Sequence, residues 1–191
     1  MRFDIMVDIE TLGNELDSSI IQVAAIAFDM KSGEYLSEFL ATIDIEKSKD
    51  LKVTGSTLKW WLQTDKELLR DILQEGMESE EEVARSFYDW IKSHGVVEEI
   101  YLWGNGILFD NALIKEFFRK HGLPYPIHYK NDRDVRTILE MACLKEKISE
   151  SMFKELIPRK GRVHHAMSDV KYQIDLVTTC YEIIIGDDVD D

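Results

Sequence analysis

Two acids stand two residues apart near the start of the chain, in Asp8-Ile9-Glu10-Thr11. Alternate side chains on a strand share a face, so Asp8 and Glu10 would lie side by side, with Ile5, Val7 and Ile9 on the other face. Paired carboxylates repel unless a cation lies between them, and hard divalent ions such as Mg²⁺ or Mn²⁺ prefer such oxygen ligands. A further acid, Asp110, follows Trp103-Gly104-Asn105-Gly106-Ile107-Leu108-Phe109. That segment reads as a strand entering a glycine loop and then a helix that opens at an acid, and glycine allows backbone or phosphate to come close. No GK[ST] follows, so it is not a Walker loop. A third motif is Arg162-Val163-His164-His165-Ala166-Met167-Ser168-Asp169. The five-residue offset from His164 to Asp169 does not align on one helix face. His164 therefore belongs on an approach loop and Asp169 in the first turn, where the helix dipole favours an acid. Taken singly, each motif also has an ordinary structural reading: a solvated strand end, an N-cap, a solvated His pair.

The elements that would position these residues are legible in outline. Phe3–Ile9, Ser19–Phe28 and Glu34–Ile43 read as strands of an antiparallel meander, with a turn at Lys31-Ser32-Gly33. Ser56–Gln63 reads as a short helix, and Asp65 can cap the next one. Ser79 and Glu82 form a capping box for a third helix, whose apolar positions are Val83, Phe87, Trp90 and Ile91. Ile100–Trp103 reads as a strand and Asp110–His121 as a helix closed by Gly122 and Pro124. Asp132 or Asp134 opens a helix running to about Leu144, and Met167–Ile185 is the last. Strands first, then strand–helix alternation, indicate an α/β domain with a mixed sheet, expected over residues 1–186 with an acidic tail at 187–191.

The 191 residues are 45% apolar and 31% charged, which excludes a disordered chain. The net charge of −14 excludes a generally basic nucleic-acid-coating protein. It leaves nucleic acid open as a substrate, because a carboxylate-rich metal site adds to the acid count and bound metal offsets it. Cys143 and Cys180 stand far apart in apolar helical patterns and are expected as buried free thiols. The N-terminal residues lack a signal-peptide pattern and no stretch has the length of a membrane span, so a soluble, cytoplasmic protein without membrane contact is expected.

Together the motifs are far more specific than any one alone. A strand D-x-E, a mid-chain Asp after a strand and a late H-x₄-D resemble the DEDDh branch of the DnaQ-like 3′-to-5′ exonucleases, and the likeness spans almost the whole chain. Thr57-Leu58-Lys59-Trp60-Trp61-Leu62-Gln63 also resembles the T-x-x-WWL-x-Q segment of a subgroup containing mycobacterial-type exoribonuclease-like domains and phage exonucleases of the DexA kind. The resemblance implies an RNase H-like fold, a mixed five-stranded sheet flanked by helices. It implies Asp8, Glu10, Asp110, His164 and Asp169 as catalytic residues and two Mg²⁺ ions, with Mn²⁺ able to substitute. Asp8 would bridge both ions, Glu10 and Asp169 complete one site, and Asp110 help hold the other. Two ions can activate a water and stabilise a leaving 3′ oxygen, and histidine is a suitable base for that water. The H-x₄-D count selects His164 over His165.

The implied partner is the 3′ end of single-stranded DNA or RNA, with a homodimer as one arrangement. Expected substrate contacts are Thr11, Leu12, Trp60, Trp61, Asn105 and Arg162. Adjacent helical residues point about 100° apart, so one tryptophan is expected in the core and the other at the edge of the site, where it could stack on a base. Lys130, Arg133, Arg136, Arg159, Lys160 and Arg162 form the main basic stretch, suited to phosphate contacts. The alternatives are a phosphodiesterase for short oligonucleotides or small nucleotides, a catalytically idle nucleic-acid or protein interaction module, and an acidic DNA mimic. The last would have no reason to keep carboxylates at these spacings.

Overall fold

Ile20–Phe28 is buried along its whole length, as a strand with neighbours on both sides and helices on both faces must be. In the computed structural model, which describes residues 2–186, this run is strand β2. The tail expected at 187–191 lies outside the described residues. Among the described residues, β1 (Phe3–Thr11), β2, β3 (Tyr35–Thr42), β4 (Ile100–Gly104) and β5 (Asp132–Asp134) form one sheet in the order β3-β2-β1-β4-β5. β1–β2 and β2–β3 pair antiparallel, while β1–β4 and β4–β5 pair parallel. This is the expected mixed five-stranded α/β sheet.

The helices are α1 (Gly55–Thr64), α2 (Lys66–Glu75), α3 (Glu80–Ser93), α4 (Asp110–Lys120), α5 (Val135–Glu146), α6 (Glu150–Glu155) and α7 (Ala166–Ile185). Strand alternation sorts them into two layers. Ile5, Val7 and Ile9 of β1 pack with Val83, Phe87 and Ile91 of α3 and with Leu113, Ile114, Phe117 and Phe118 of α4. Met6 faces the opposite way, toward Val135 of α5 and Val170, Ile174 and Val177 of α7. Asp8 and Glu10 continue the Met6 face and so look toward α7. A third cluster joins Trp61 of α1 with Leu68, Leu69 and Ile72 of α2, Leu12 and Ile21. Cys143 and Cys180 are free and buried, as expected.

The caps follow the sequence. Asp65 accepts from the Leu68 N–H at 2.9 Å, and Ser79 and Glu82 form the capping box of α3. Asp134 accepts from the Arg136 N–H at 2.7 Å, so it, not Asp132, caps α5. Among the strands and α-helices of the described residues, two were not read from the sequence. β5 consists of Asp132-Arg133-Asp134 and has no apolar alternation; it exists because Leu102–Gly104 of β4 offers a parallel partner. α6, capped by Ser149, has six residues and one buried side chain, Phe153.

Candidate active site

β1 and β4 run parallel, so their C-terminal ends open on the same edge of the sheet, where side chains of α/β proteins commonly gather around a ligand. Asp8 and Glu10 sit at that end of β1, and a register shift in the β1–β2 pairing falls between Glu10 and Thr11. Such irregularities re-aim side chains at strand ends. From β4 the chain passes through Gly104-Asn105-Gly106 to Asp110, the first residue of α4. Its N-cap position is taken by Phe109, without a side-chain cap bond, so Asp110 is not serving merely as a cap. Gly104 is required here: a Cβ would drive into Oδ1 of Asn111 and come within 3.1 Å of Cβ of Asp110. Asp169 occupies the first turn of α7.

These segments enclose a pocket of about 370 Å³ whose walls include Asp8, Glu10, Asn105, Asp110, Arg159, His164, Asp169 and Gln173. One carboxylate oxygen each of Asp8, Glu10 and Asp169 lies within 4.8 Å of the others. Burial, with the nearby charges of Asp110 and Asp169, raises the Asp8 pKa well above the usual carboxylate range. Burial, then the charge of Asp8, pushes Glu10 up to about 10. Burial likewise pushes Asp110 up to about 7. Crowded, desolvated carboxylates hold protons or a cation. The donor set is all oxygen and close-spaced, which fits a hard divalent ion such as Mg²⁺ or Mn²⁺.

His164 and His165 are separated by the backbone. His164 adopts a left-handed φ of 63°, its N–H donates to Oδ2 of Asp169 at 3.3 Å, and its ring meets that of Trp60 edge-on at 4.8 Å. His165 is at the N-cap of α7 and lines a different cavity with Tyr35, Lys160 and Lys171. A left-handed non-glycine residue costs of order 1–2 kcal/mol, and here that conformation accompanies the imidazole's entry into the acidic pocket.

The tryptophans divide as the helical geometry required. Trp61 is 1% exposed and its Nε1–H donates to the Thr11 carbonyl at 2.9 Å, tying α1 to the end of β1. Trp60 is 40% exposed and lines a second cleft with Glu10, Thr11, Asn14, Thr57 and Phe109. Glu10 and Phe109 line both cavities. Two expected contact residues, Leu12 and Arg162, line neither cavity. The Leu12 side chain is buried in the α1–α2 cluster, and Arg162 is bound to Asp65 and Asp71.

Three polar residues of the pocket were not singled out from sequence. Gln173 donates from Nε2 to Oδ1 of Asp8 at 2.8 Å; it lies one turn beyond Asp169 on the same helix face, a spacing that could have revealed it. Lys154 and Tyr172 also line the pocket. Lys154 belongs to α6, which gave no sequence signal.

Comparison with known proteins settles the lineage of this arrangement. The profile of the Rv2179c-like 3′-5′ exoribonuclease domain matches residues 3–181. The chain belongs to this family. It is therefore a 3′-5′ exonuclease domain, a nucleic-acid hydrolase. Among curated proteins, the exodeoxyribonuclease of Enterobacteria phage T4 is 27% identical over 171 residues, covering 74% of this chain and 73% of that protein. Among solved structures, the zinc-bound form of E. coli exonuclease I with single-stranded DNA superposes with a TM-score of 0.65 at 18% identity, over 93% of this chain and 40% of that one. The nuclease domain of 3′hExo, a DEDDh family member bound to rAMP, gives 0.64 at 16% identity, over 98% of this chain and 92% of that one. The chain thus spans about two fifths of the length of exonuclease I. The shared fold is the RNase H-like one.

Proposed function

We propose that this 3′-5′ exonuclease removes nucleoside monophosphates from the 3′ end of single-stranded DNA or RNA, using two divalent ions and His164 as general base. The observation that carries this reading is the convergence of Asp8, Glu10 and Asp169 within 4.8 Å of one another, in a pocket also walled by Asp110 and His164. Asp8, Glu10 and Asp169 would hold one ion, and Asp8 with Asp110 a second. Bound there, the ions would lower the pKa of a water and offset charge on the leaving oxygen.

The protein's own groups have separable tasks in this reading. Gln173 holds one oxygen of Asp8 by its side-chain amide and so fixes the carboxylate's rotation. His164 takes the proton from the attacking water, and the bond from its backbone to Asp169 keeps its loop against α7. Thr11 and Trp60 line the cleft beside Glu10, where Trp60 offers a ring to the terminal base. Stacking of that kind is worth about 1–3 kcal/mol per base and tolerates any sequence. Asn105, in the wall of the acidic pocket, offers its amide to the strand.

Incubation with 5′-labelled single-stranded DNA and matched RNA, in Mg²⁺, Mn²⁺ or chelator, tests this reading. A ladder shortening from the 3′ end, absent in chelator and blocked by a 3′-phosphate, is expected. Cleavage of a circular strand, or equal rates on blocked and free ends, would overturn it in favour of an endonuclease.

A further inference from the structure

Lys154 and Arg159 are the lysine and arginine that line the acidic pocket. Lys154 is engaged by Glu150 on its own helix. Arg159 is held differently: its Nη2 donates to Oδ1 of Asp169, and its guanidinium lies 4.6 Å from the centroid of the Tyr172 ring. Asp169 and Tyr172 are both on α7, one turn apart. The guanidinium is therefore gripped by a carboxylate at one point and an aromatic face at another, both of which suit a planar, weakly hydrated cation.

The two contacts differ in what can displace them. Oδ1 of Asp169 accepts from Arg159 and Oδ2 from the His164 N–H, so a divalent ion must compete with protein donors for this carboxylate. No such competition arises at the Tyr172 ring. An arginine that loses Asp169 but keeps Tyr172 stays at the pocket with its planar fork of N–H donors free, and that fork matches a phosphate. We propose that Arg159 passes from Asp169 to a phosphate of the nucleic-acid strand when a divalent ion engages Asp169, so that ion and strand bind with positive coupling through this side chain. The inference rests on the reading of Asp8, Glu10 and Asp169 as ion ligands. The coupling is reciprocal: whatever the ion adds to strand affinity through Arg159, the strand adds to ion affinity.

Calorimetric titration of Mn²⁺ alone into wild type, R159Q, Y172L and D169N tests the first half. Binding of a 5′-labelled oligothymidylate in Ca²⁺, across a series of salt concentrations, tests the second. R159Q should bind Mn²⁺ roughly threefold or more tightly than wild type, because an internal competitor for Asp169 is gone. The same variant should bind the strand about tenfold more weakly. Its plot of log affinity against log salt should be shallower by about 0.7, the loss of one phosphate contact on a single strand. Y172L leaves the Asp169 contact but loosens the grip, so its Mn²⁺ affinity should match wild type while its strand affinity falls; if R159Q fails to fold, this variant decides. Mn²⁺ binding by R159Q that is equal to or weaker than wild type, or strand binding unchanged in either folded variant, overturns the proposal. Mn²⁺ binding retained at full strength in D169N overturns instead the assignment of the ion ligands, which separates the two failures.

Discussion

His164 and His165 share a peptide bond yet line different cavities. The sequence offset to Asp169 selected the first, and a left-handed φ at His164 is the backbone feature that separates them. His164→Ala should lower the hydrolytic rate about 10²–10⁴-fold, the range for a lost general base, with Mn²⁺ affinity retained. His165→Ala should change the rate far less; the reverse ranking would move the catalytic assignment by one residue. The tryptophans make a parallel pair. Trp61→Ala removes a buried ring and its bond to the Thr11 carbonyl, and should cost about 3–5 kcal/mol in a denaturant titration. Trp60→Ala should stay folded and bind single strands more weakly. Equal stability losses, with no change in strand affinity, would count against a stacking role for Trp60.

At the scale of elements, the site depends on close approach of β4, its glycine loop and α4. Gly104→Ala would force a methyl group against Asn111 and Asp110. It should destabilise by about 1–3 kcal/mol and depress activity more than a distant substitution of equal cost, as read by comparing melting and rate for both. The sequence made most of this frame legible because the signals were local. Paired acids at period two, a capping box at Ser79 and Glu82, and an acid opening a helix each declare themselves within a few residues. β5 was not legible because Asp132-Arg133-Asp134 becomes a strand only through its partner β4. α6 buries a single side chain among its six residues, too little for a period to show. One expected contact was misjudged for the same reason: Arg162 looked like the basic residue nearest His164, but Asp65, the N-cap of α2, and Asp71 within α2 hold it. Arg159, three residues earlier, reaches Asp169 instead. Which of two neighbouring arginines faces a pocket depends on tertiary partners nearly a hundred positions away.

At the scale of the whole molecule, the site concentrates buried acids in a chain already carrying a net charge of −14. Acids whose pKa is higher folded than unfolded bind more protons in the folded state, so they favour folding at low pH, and that contribution is lost as pH rises toward the folded pKa. The window for Asp110 runs from its ordinary 3.8 to about 7, and for Glu10 from 4.5 to about 10. In chelator, the melting temperature should therefore fall as pH is raised from about 5 to about 9, and Glu10→Gln should flatten that fall. The increment in melting temperature given by Mg²⁺ should grow over the same range, because the ligands must be deprotonated to bind it. A pH-independent Mg²⁺ increment would contradict this linkage.

The central claim is that the carboxylates gathered at the C-terminal end of β1 and the N-terminal ends of α4 and α7 form a divalent-ion site for hydrolysis at a 3′ end. The most direct test is the rate at which a 5′-labelled single strand is shortened from its 3′ end in saturating Mg²⁺ by wild type and by Asp8→Ala, both confirmed as folded. Loss of the carboxylate proposed to serve both ions should cost at least about a thousandfold. A folded Asp8→Ala variant that digests the strand at the wild-type rate would contradict the account.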